Sequence, residues 1–285
     1  MVGDRKRAGG YGEGGIAPAL SVADIAREAE ALGQAVAREE LLALASGEPV
    51  LELRGLHAGY GAMEILHGID LAVARGQGLC LVGPNGAGKS TVLHSIFGFT
   101  RITAGAVIAQ DRDVTRLSSS ARLKDAGIAY ILQDNSIFPD MTVEENLLMG
   151  GYLLADGRAA HEAAERVFAR YERLAKRRRE RAGVLSGGER RLLEISRALI
   201  MDPDILLVDE PSIGLEPRMI DMVFEILTEL RDEQGKTIVM VEQNARRGLE
   251  FADLGYVMVS GRVALAGKGA ELLENPEVGR LFLGG

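Results

Sequence analysis

Apolar and polar residues alternate along VLELRGLHAGY (50–60) and again along ILHGIDLAVARGQ (65–77). A period of two marks a strand with one buried face, so both segments are expected to be β-strands. GLCLVG (78–83) is short and continuously apolar, which predicts a strand buried on both faces that runs straight into a glycine-rich turn. TVLHSIFGF (91–99) reads as the helix after that turn, and AGIAYILQD (126–134) as another strand. From Thr142 to about Ala182 the pattern is mostly helical, with VEENLLMGGYLL followed by the charged HEAAERVFARYERLAKRRRERA. ERRLLEISRALIMD (189–202) predicts a helix with Leu192, Ile195 and Leu199 on one face. DILLVDE (204–210) and TIVMVEQ (237–243) predict buried strands on either side of a helix, MIDMVFEILTELRDEQ (219–234). LGYVMVSGRVALAG (254–267) predicts a hairpin turning at Ser260–Gly261.

Strands alternating with helices imply an α/β protein built on a parallel sheet. The helical block ahead of LSGGE (185–189) is expected to form a second lobe, and no internal repeat is visible. The N-terminal end has a different character. Residues 1–19 hold six glycines and Pro18 among charged residues, which predicts a disordered tail. Ser21 to Ala45 predicts a helix: Ser21 and Asp24 have capping-box-like spacing, and Ile25, Ala29, Leu32 and Val36 define one apolar face. Gly47 and Pro49 would end it. The expected division is therefore an N-terminal extension over 1–49, packing on its own domain or binding a partner, and a main domain over 50–285 with a helical lobe at about 142–184.

Composition narrows the classes of function. A chain of 285 residues, 47% hydrophobic, can bury a substantial core. A net charge of −8 disfavours wholesale binding to nucleic-acid backbone. The single cysteine, Cys80, excludes an internal disulfide and a multi-cysteine metal site, and its apolar neighbours predict a small buried residue. No apolar run reaches the roughly 18–20 residues of a membrane helix, and AGGYGEGG follows the basic DRKR where a signal peptide would be apolar. The chain is expected to be soluble and cytoplasmic, reaching a membrane only through a partner.

The chemistry concentrates first in GPNGAGKST (83–91), which fits G-x-x-x-x-G-K-[ST]. Gly83, Gly86 and Gly88 would let the backbone, with Pro84, Asn85 and Ala87, curl around a phosphate and aim its N–H groups inward. Thr91 opens the helix whose positive N-terminal end adds to the site. Lys89 would reach the β- and γ-phosphates, and the Ser90 hydroxyl would ligate Mg²⁺. Such a loop needs a second acid. Four apolar residues, Ile205 to Val208, end in Asp209 and Glu210, which an apolar strand would deliver to the carboxyl edge of the sheet. Asp209 would hold Mg²⁺ and Glu210 would orient or deprotonate the attacking water.

Kinases, GTPases, helicases and transport motors share such a loop; LSGGE separates them. Together with the preceding elements it resembles the signature sequence of ATP-binding-cassette (ABC) ATPases, over about Val50 to Gly285. That resemblance implies a P-loop NTPase fold with a RecA-like core, an antiparallel β subdomain and an inserted helical lobe. It implies ATP and Mg²⁺ as ligands. It also implies that Ser186, Gly187, Gly188 and Glu189 close over ATP held by a second ABC ATPase subunit. Tyr60 matches the aromatic residue that stacks on adenine. Gln133 matches the glutamine linking the metal site to the helical lobe, and Pro211, Ser212, Gly214 and Leu215 match a loop that contacts the other cassette. Glu216 stands where many members have aspartate. Gln243 stands where most have a histidine that touches the γ-phosphate, while His57, His67, His94 and His161 lie elsewhere.

VEQNA, FPDMTVEENLLMGG, DEPSIGLEP and NPEVGRLFLGG resemble one of the two ATPase subunits of branched-chain amino-acid importers, whose relatives carry urea or short amides. The resemblance implies a peripheral subunit on the cytoplasmic face of the inner membrane, paired with a similar ATPase beneath two membrane permeases and served by a periplasmic solute-binding protein. The 49-residue extension is not part of that pattern. The alternative is a non-transport cassette ATPase acting on nucleic acid or ribosomes, favoured only by KRRRER (176–181), which a solvated helix face also explains. A small-molecule kinase would have no use for LSGGE.

Overall fold

The computed structural model describes residues 36–133 and 136–282. Two sheets organise them. The first is antiparallel, in the order β2-β1-β4-β5, from β1 (Pro49–Tyr60), β2 (Met63–Ala74), β4 (Arg101–Ala109) and β5 (Arg112–Asp113). The second has the order β10-β9-β3-β8-β7-β6. In it β3 (Gly78–Val82), β6 (Ile128–Ile131), β7 (Ile205–Asp209), β8 (Thr237–Val241) and β9 (Leu254–Val259) run parallel, and β10 (Arg262–Lys268) closes one edge antiparallel. Every residue of β3, β7 and β8 is buried, as expected of parallel strands covered on both faces. The hairpin at Ser260–Gly261 lies where the sequence pattern put it.

One core fills the space between the two sheets. Leu51, Leu53, Leu56, Ala58, Leu66 and Leu71 face Leu79, Leu81, Leu207 and Val239 across Val92, Leu93 and Ile96 of α2 (Lys89–Phe97). α3 (Ser119–Ala126) packs against α2 and β6. The other core joins the opposite face of the parallel sheet to the helices that follow β6. These are α4 (Val143–Gly150), α5 (Gly157–Arg170), α6 (Glu172–Lys176), α7 (Gly187–Leu199) and α8 (Pro217–Asp232), with α9 (Ala245–Phe251), α10 (Gly269–Glu274) and α11 (Pro276–Phe282) completing the chain. α4 begins at a capping box in which Thr142 and Glu145 satisfy each other's backbone N–H. Fully buried Asn146 donates to the carbonyls of Phe138 and Thr142 and accepts from the Phe138 N–H, fixing the loop that leads into the lobe.

Register explains where chemistry can occur. Leu81 pairs with Val241, Val241 with Asp209, and Val208 with Ile131, so four parallel strands end side by side. Each then leads into a segment singled out above: the glycine loop, Gln133, Glu210 and Gln243.

Two expectations change. Ser21, Asp24, Ile25, Ala29 and Leu32 lie outside the described residues. The described helix, α1, spans only Arg38–Leu44; Ala37 is extended (φ −63°, ψ 139°), so Val36 precedes the helix and is not part of a helical stripe. Leu41 is nonetheless in the core, and Val36 and Leu44 pack against it. Buried Glu52 accepts from both Arg38 and Arg54; burial works to raise its pKa, and the two guanidiniums outweigh it to hold it below the usual carboxylate range. The second change concerns KRRRER. Only Lys176 is helical, and the rest forms a turn after α6. Four of its five basic residues are paired: Lys176 with Glu172, Arg177 with Glu180 and Glu189, Arg178 with Glu144 and Glu165, and Arg181 with Asp140. The run is a brace within the lobe.

Candidate functional site

The glycine loop starts at the end of β3 and delivers Lys89 and Ser90 into the first turn of α2. Gly83 has φ 145°, and a Cβ there would lie 2.2 Å from the Met258 carbonyl oxygen of the adjacent strand. Gly88 has φ 96°, in the left-handed region that favours glycine, and a Cβ there would press on Leu66 Cδ2 at 2.9 Å. Only glycine fits both positions. At Gly86 (φ 82°) the side-chain direction is open, so the loop keeps a cradle around its backbone N–H groups.

Lys89 is 7% exposed, and its ammonium donates to the Gly83 and Pro84 carbonyls at 2.8 and 3.0 Å. Burial pushes its pKa down, and the Glu210 and Asp209 carboxylates oppose that shift. It is a buried cation held at the mouth of the loop, facing two acids.

Asp209, 4% exposed, is the point of convergence. Its Oδ1 accepts from the Ser90 hydroxyl at 3.1 Å and its Oδ2 from the Tyr130 hydroxyl at 2.8 Å. Burial, reinforced by the neighbouring carboxylate, drives the Tyr130 phenol far up, so it stays a donor. Arg191 of α7 is buried and donates to the Leu132 carbonyl (2.7 Å), the Asp209 carbonyl (3.4 Å) and Glu194 (2.9 Å). Glu210 has φ +43°, a conformation that costs a non-glycine residue energy. Its N–H donates to Val241 at 2.8 Å, and Gln133 Nε2 donates to its Oε2 at 3.0 Å. Next door, Glu242 is 2% exposed and accepts from the Ser212 hydroxyl (2.7 Å) and the Asn244 N–H (2.9 Å), tying the loop after Glu210 to the end of β8. Gln243 is exposed at the same edge. Cys80 lies fully buried beneath, where burial and then the Glu242 charge push its thiol up; it is inert packing, as its neighbours suggested.

Tyr60 ends β1 at the same rim, partly exposed, with its hydroxyl bonded to His94 Nδ1. His94 also meets Phe99 and Tyr130 edge-on, at 5.8 and 5.7 Å between ring centroids. An aromatic wall thus runs from Tyr60 to the residue that holds Asp209.

The signature residues are held apart from this cluster. Ser186 caps α7 through a capping box with Glu189, and Gly187 and Gly188 form its first turn. Burial works to raise the Glu189 pKa; the Ser186 N–H and hydroxyl and the Arg177 charge outweigh it and hold the carboxylate ionised. Pro211, Gly214 and Leu215 face Gly187 across a cleft shared with Gln133, and Glu216 stands at the N-cap position of α8 without a side-chain capping bond. The edge therefore presents one half of a phosphate site, with the serine-glycine helix start standing to its side. Tyr130, His94, Arg191 and Glu242 are additions to the residues recognised from the sequence.

A parallel sheet whose first loop carries G-x-x-x-x-G-K-S, with a strand-end aspartate on its serine, defines a P-loop NTPase. The family model described as ABC transporter matches residues 66–213. The high-affinity branched-chain amino acid transport ATP-binding protein BraG of Pseudomonas aeruginosa is 40% identical over 79% of this chain and 96% of its own length. The probable branched-chain amino acid transport ATP-binding protein LivF of Archaeoglobus fulgidus is 38% identical over 80% and 96%. A nucleotide-free ATP-binding cassette from an ABC transporter superposes with a TM-score of 0.73 at 28% identity, covering 83% of this chain and all of that one. A dimeric cassette bound to ADP and Pi gives 0.66 at 25%, over 76% and 98%. The chain belongs to the ABC transporter family, as one of its ATP-binding subunits. It binds ATP and hydrolyses it to drive transport, and subunits of this kind dimerise and associate with transporter complexes. No helix among the described residues is long and apolar enough to cross a membrane.

Proposed function

We propose that this chain is an ATPase subunit of an importer for branched-chain amino acids or related small polar solutes such as urea or amides. It would work on the cytoplasmic face of the inner membrane, with a second ABC ATPase subunit and membrane permeases as direct partners and a periplasmic solute-binding protein as an indirect one. The similarity to BraG and LivF over nearly their full lengths carries this reading. The main domain would run over 50–285, behind an extension of 49 residues. The test is uptake: expressed with a matching permease pair, second ATPase and binding protein, the chain is expected to support leucine, isoleucine and valine import that stops with Lys89→Ala. Uptake of urea alone would reassign the solute, and transport unaffected by Lys89→Ala would end the proposal. The nucleic-acid alternative drew only on KRRRER, and four of its five basic residues are ion-paired.

In this reading the loop N–H groups of residues 83–91 and Lys89 hold the ATP phosphates, and Tyr60 stacks on the base. The hydroxyl and carboxylate oxygens that meet at Ser90 and Asp209 are the hard donors Mg²⁺ takes, and Gln133, bonded to the adjacent Glu210, would add its amide oxygen. Bound there, Mg²⁺ supplies charge neutralisation for the phosphates. Glu210 orients and deprotonates the attacking water, and Gln133 orients Glu210. Ser186 to Glu189 offer a helix start to the nucleotide of the partner cassette. Closure would be transmitted through Arg191 and Gln133 to a groove lined by Phe97, Tyr130, Met149, Tyr152 and Arg197, where exposed aromatic surface suits a permease segment.

Two substitutions probe this arrangement. Tyr130→Phe removes one of the two donors on Asp209, and a hydrogen bond to a charged group contributes about 1.5–3 kcal/mol. The Mg²⁺ concentration needed for half-maximal hydrolysis is expected to rise roughly tenfold while saturated turnover changes little; an unchanged Mg²⁺ requirement would show that Ser90 alone sets the carboxylate. Gln243 has an amide that can donate to phosphate and cannot become cationic. Gln243→Ala is expected to slow hydrolysis about tenfold, and Gln243→His to restore it with a new dependence on pH near the ordinary histidine pKa of about 6.5. Steady-state phosphate release across pH measures both, and full activity in the alanine variant would remove Gln243 from the site.

A further inference from the structure

Two of the four histidines lie half-exposed on the antiparallel sheet, on the hairpin that ends at Tyr60. His57 and His67 are directly paired across β1 and β2. Glu64, three residues before His67, reaches between them. Its Oε1 is 2.9 Å from His57 Nδ1 and 3.2 Å from His67 Nδ1, and the three ligand atoms lie within 4.8 Å of one another. Thr103 of β4 donates to the other oxygen, Oε2, at 2.9 Å, which leaves Oε1 aimed at the imidazoles. The hydrogen bonds from His57, Thr103 and His67 hold the Glu64 carboxyl well below the usual carboxylate range.

We propose that His57, Glu64 and His67 form a binding site for a divalent transition-metal ion of the Zn²⁺ class. Two imidazole nitrogens and one carboxylate oxygen are the donor set of three-ligand zinc sites, which leave a fourth position for water. In such a site, bonds of about 2.0–2.2 Å put neighbouring donors roughly 3.3 Å apart. The two nitrogen–oxygen separations here are already close to that, and the third separation, between the imidazole nitrogens, lies within 4.8 Å. Mixed nitrogen and oxygen donors select ions such as Zn²⁺, Co²⁺ and Ni²⁺ over Mg²⁺, which prefers six oxygens. Thr103 supplies the outer hydrogen bond that orients the carboxylate. The ligands also span the hairpin that presents Tyr60: Glu64 is paired with Gly59, and Tyr60 with Met63. A bound ion would tie β1 to β2 just below the residue proposed to receive the base.

The test uses tag-free full-length protein, freed of metal by chelation and kept without nucleotide or Mg²⁺, titrated with Co²⁺. One Co²⁺ per chain is expected, with half-saturation at about ten micromolar or below, a visible ligand-field band, and displacement by Zn²⁺. His57→Ala and His67→Ala should each abolish the band, and Thr103→Val should weaken binding about tenfold. Asp209→Asn should leave it intact. Circular dichroism on each variant separates loss of the ligand from loss of fold, since all three positions are on the solvent face. A band that survives both histidine substitutions, or disappears with Asp209→Asn, would assign the ion to another site and overturn the proposal. Absence of binding below about a hundred micromolar would leave these residues as a hydrogen-bonded cluster only, and would overturn it equally.

Discussion

Glu210→Gln is expected to lower ATP turnover by about 10²–10⁴-fold, the usual contribution of a positioned general base, while nucleotide still binds. Glutamine keeps the size and shape of the side chain, and the backbone is fixed independently of it. The N–H to Val241 and the φ of +43° are set by the join between β7 and β8. The lost property is the ability to accept a proton from water. Lys89, Ser90 and Asp209 are untouched, so the phosphates remain held. The variant should therefore accumulate as an ATP-bound pair of cassettes, visible as an ATP-dependent doubling of mass in light scattering. Turnover within a few-fold of the parent would transfer the activation of water to another group, and failure to bind ATP would mean that Glu210 contributes to the cradle.

The largest effect on stability is expected at Arg122, which is 1% exposed although it carries a charge. Its guanidinium donates to four carbonyls: Ser95 at 2.5 Å, Ile96 at 2.6 Å, Thr115 at 2.7 Å and Leu117 at 3.1 Å. Ser95 and Ile96 belong to the last turn of α2, where carbonyls have no intrahelical partner and the helix dipole favours a cation. Burial depresses the Arg122 pKa, and the four acceptors keep the buried charge solvated by protein. Arg122→Ala would orphan two buried acceptors and two part-buried ones and open a cavity. At about 1–3 kcal/mol for each unsatisfied group, with strong non-additivity, a loss of at least about 3 kcal/mol is expected. For a domain of this size that lowers the melting temperature by roughly 6–12 °C. Calorimetry reads the shift directly, and because α2 carries Lys89 the variant should regain part of it on adding ATP. A shift below about two degrees would mean that water replaces the guanidinium.

Much of the fold was legible because its signals are local. β3, β7 and β8 are uninterrupted apolar runs, and the capping residues of α4 and α7 lie three positions from their partners. The segment between α2 and β6 was not legible. RITAGAVIA, which forms β4, is largely exposed and carries almost no periodic contrast; its strand character comes from pairing with β1. The phosphate loop and the two strand-end acids were found for the same reason as the strands: each is contiguous. The missed residues meet their partners from far away. Tyr130 reaches Asp209 across 79 positions, Arg191 reaches Leu132 across 59, and Glu242 accepts from Ser212 across 30. In the sequence Tyr130 is one more strand residue and Arg191 one more basic residue on an amphipathic helix. Tertiary register alone makes them part of the edge. His57, Glu64 and His67 were equally silent, since a pairing across two strands brings them together.

The position of Asp209 has a consequence for how the two lobes communicate. Ser90 holds it from the nucleotide loop, Tyr130 from the strand that leads to Gln133, and Arg191 from the helix that begins at Ser186. The carboxylate and backbone carbonyl of one residue are thereby a junction of three arms, with Arg191 buried and Ser90 and Tyr130 half-buried. Occupancy at the loop and displacement of the glutamine segment would both bear on one side chain, and tilt of the signature helix on the backbone carbonyl of the same residue, so a disturbance entering by any arm would meet the other two at a single residue.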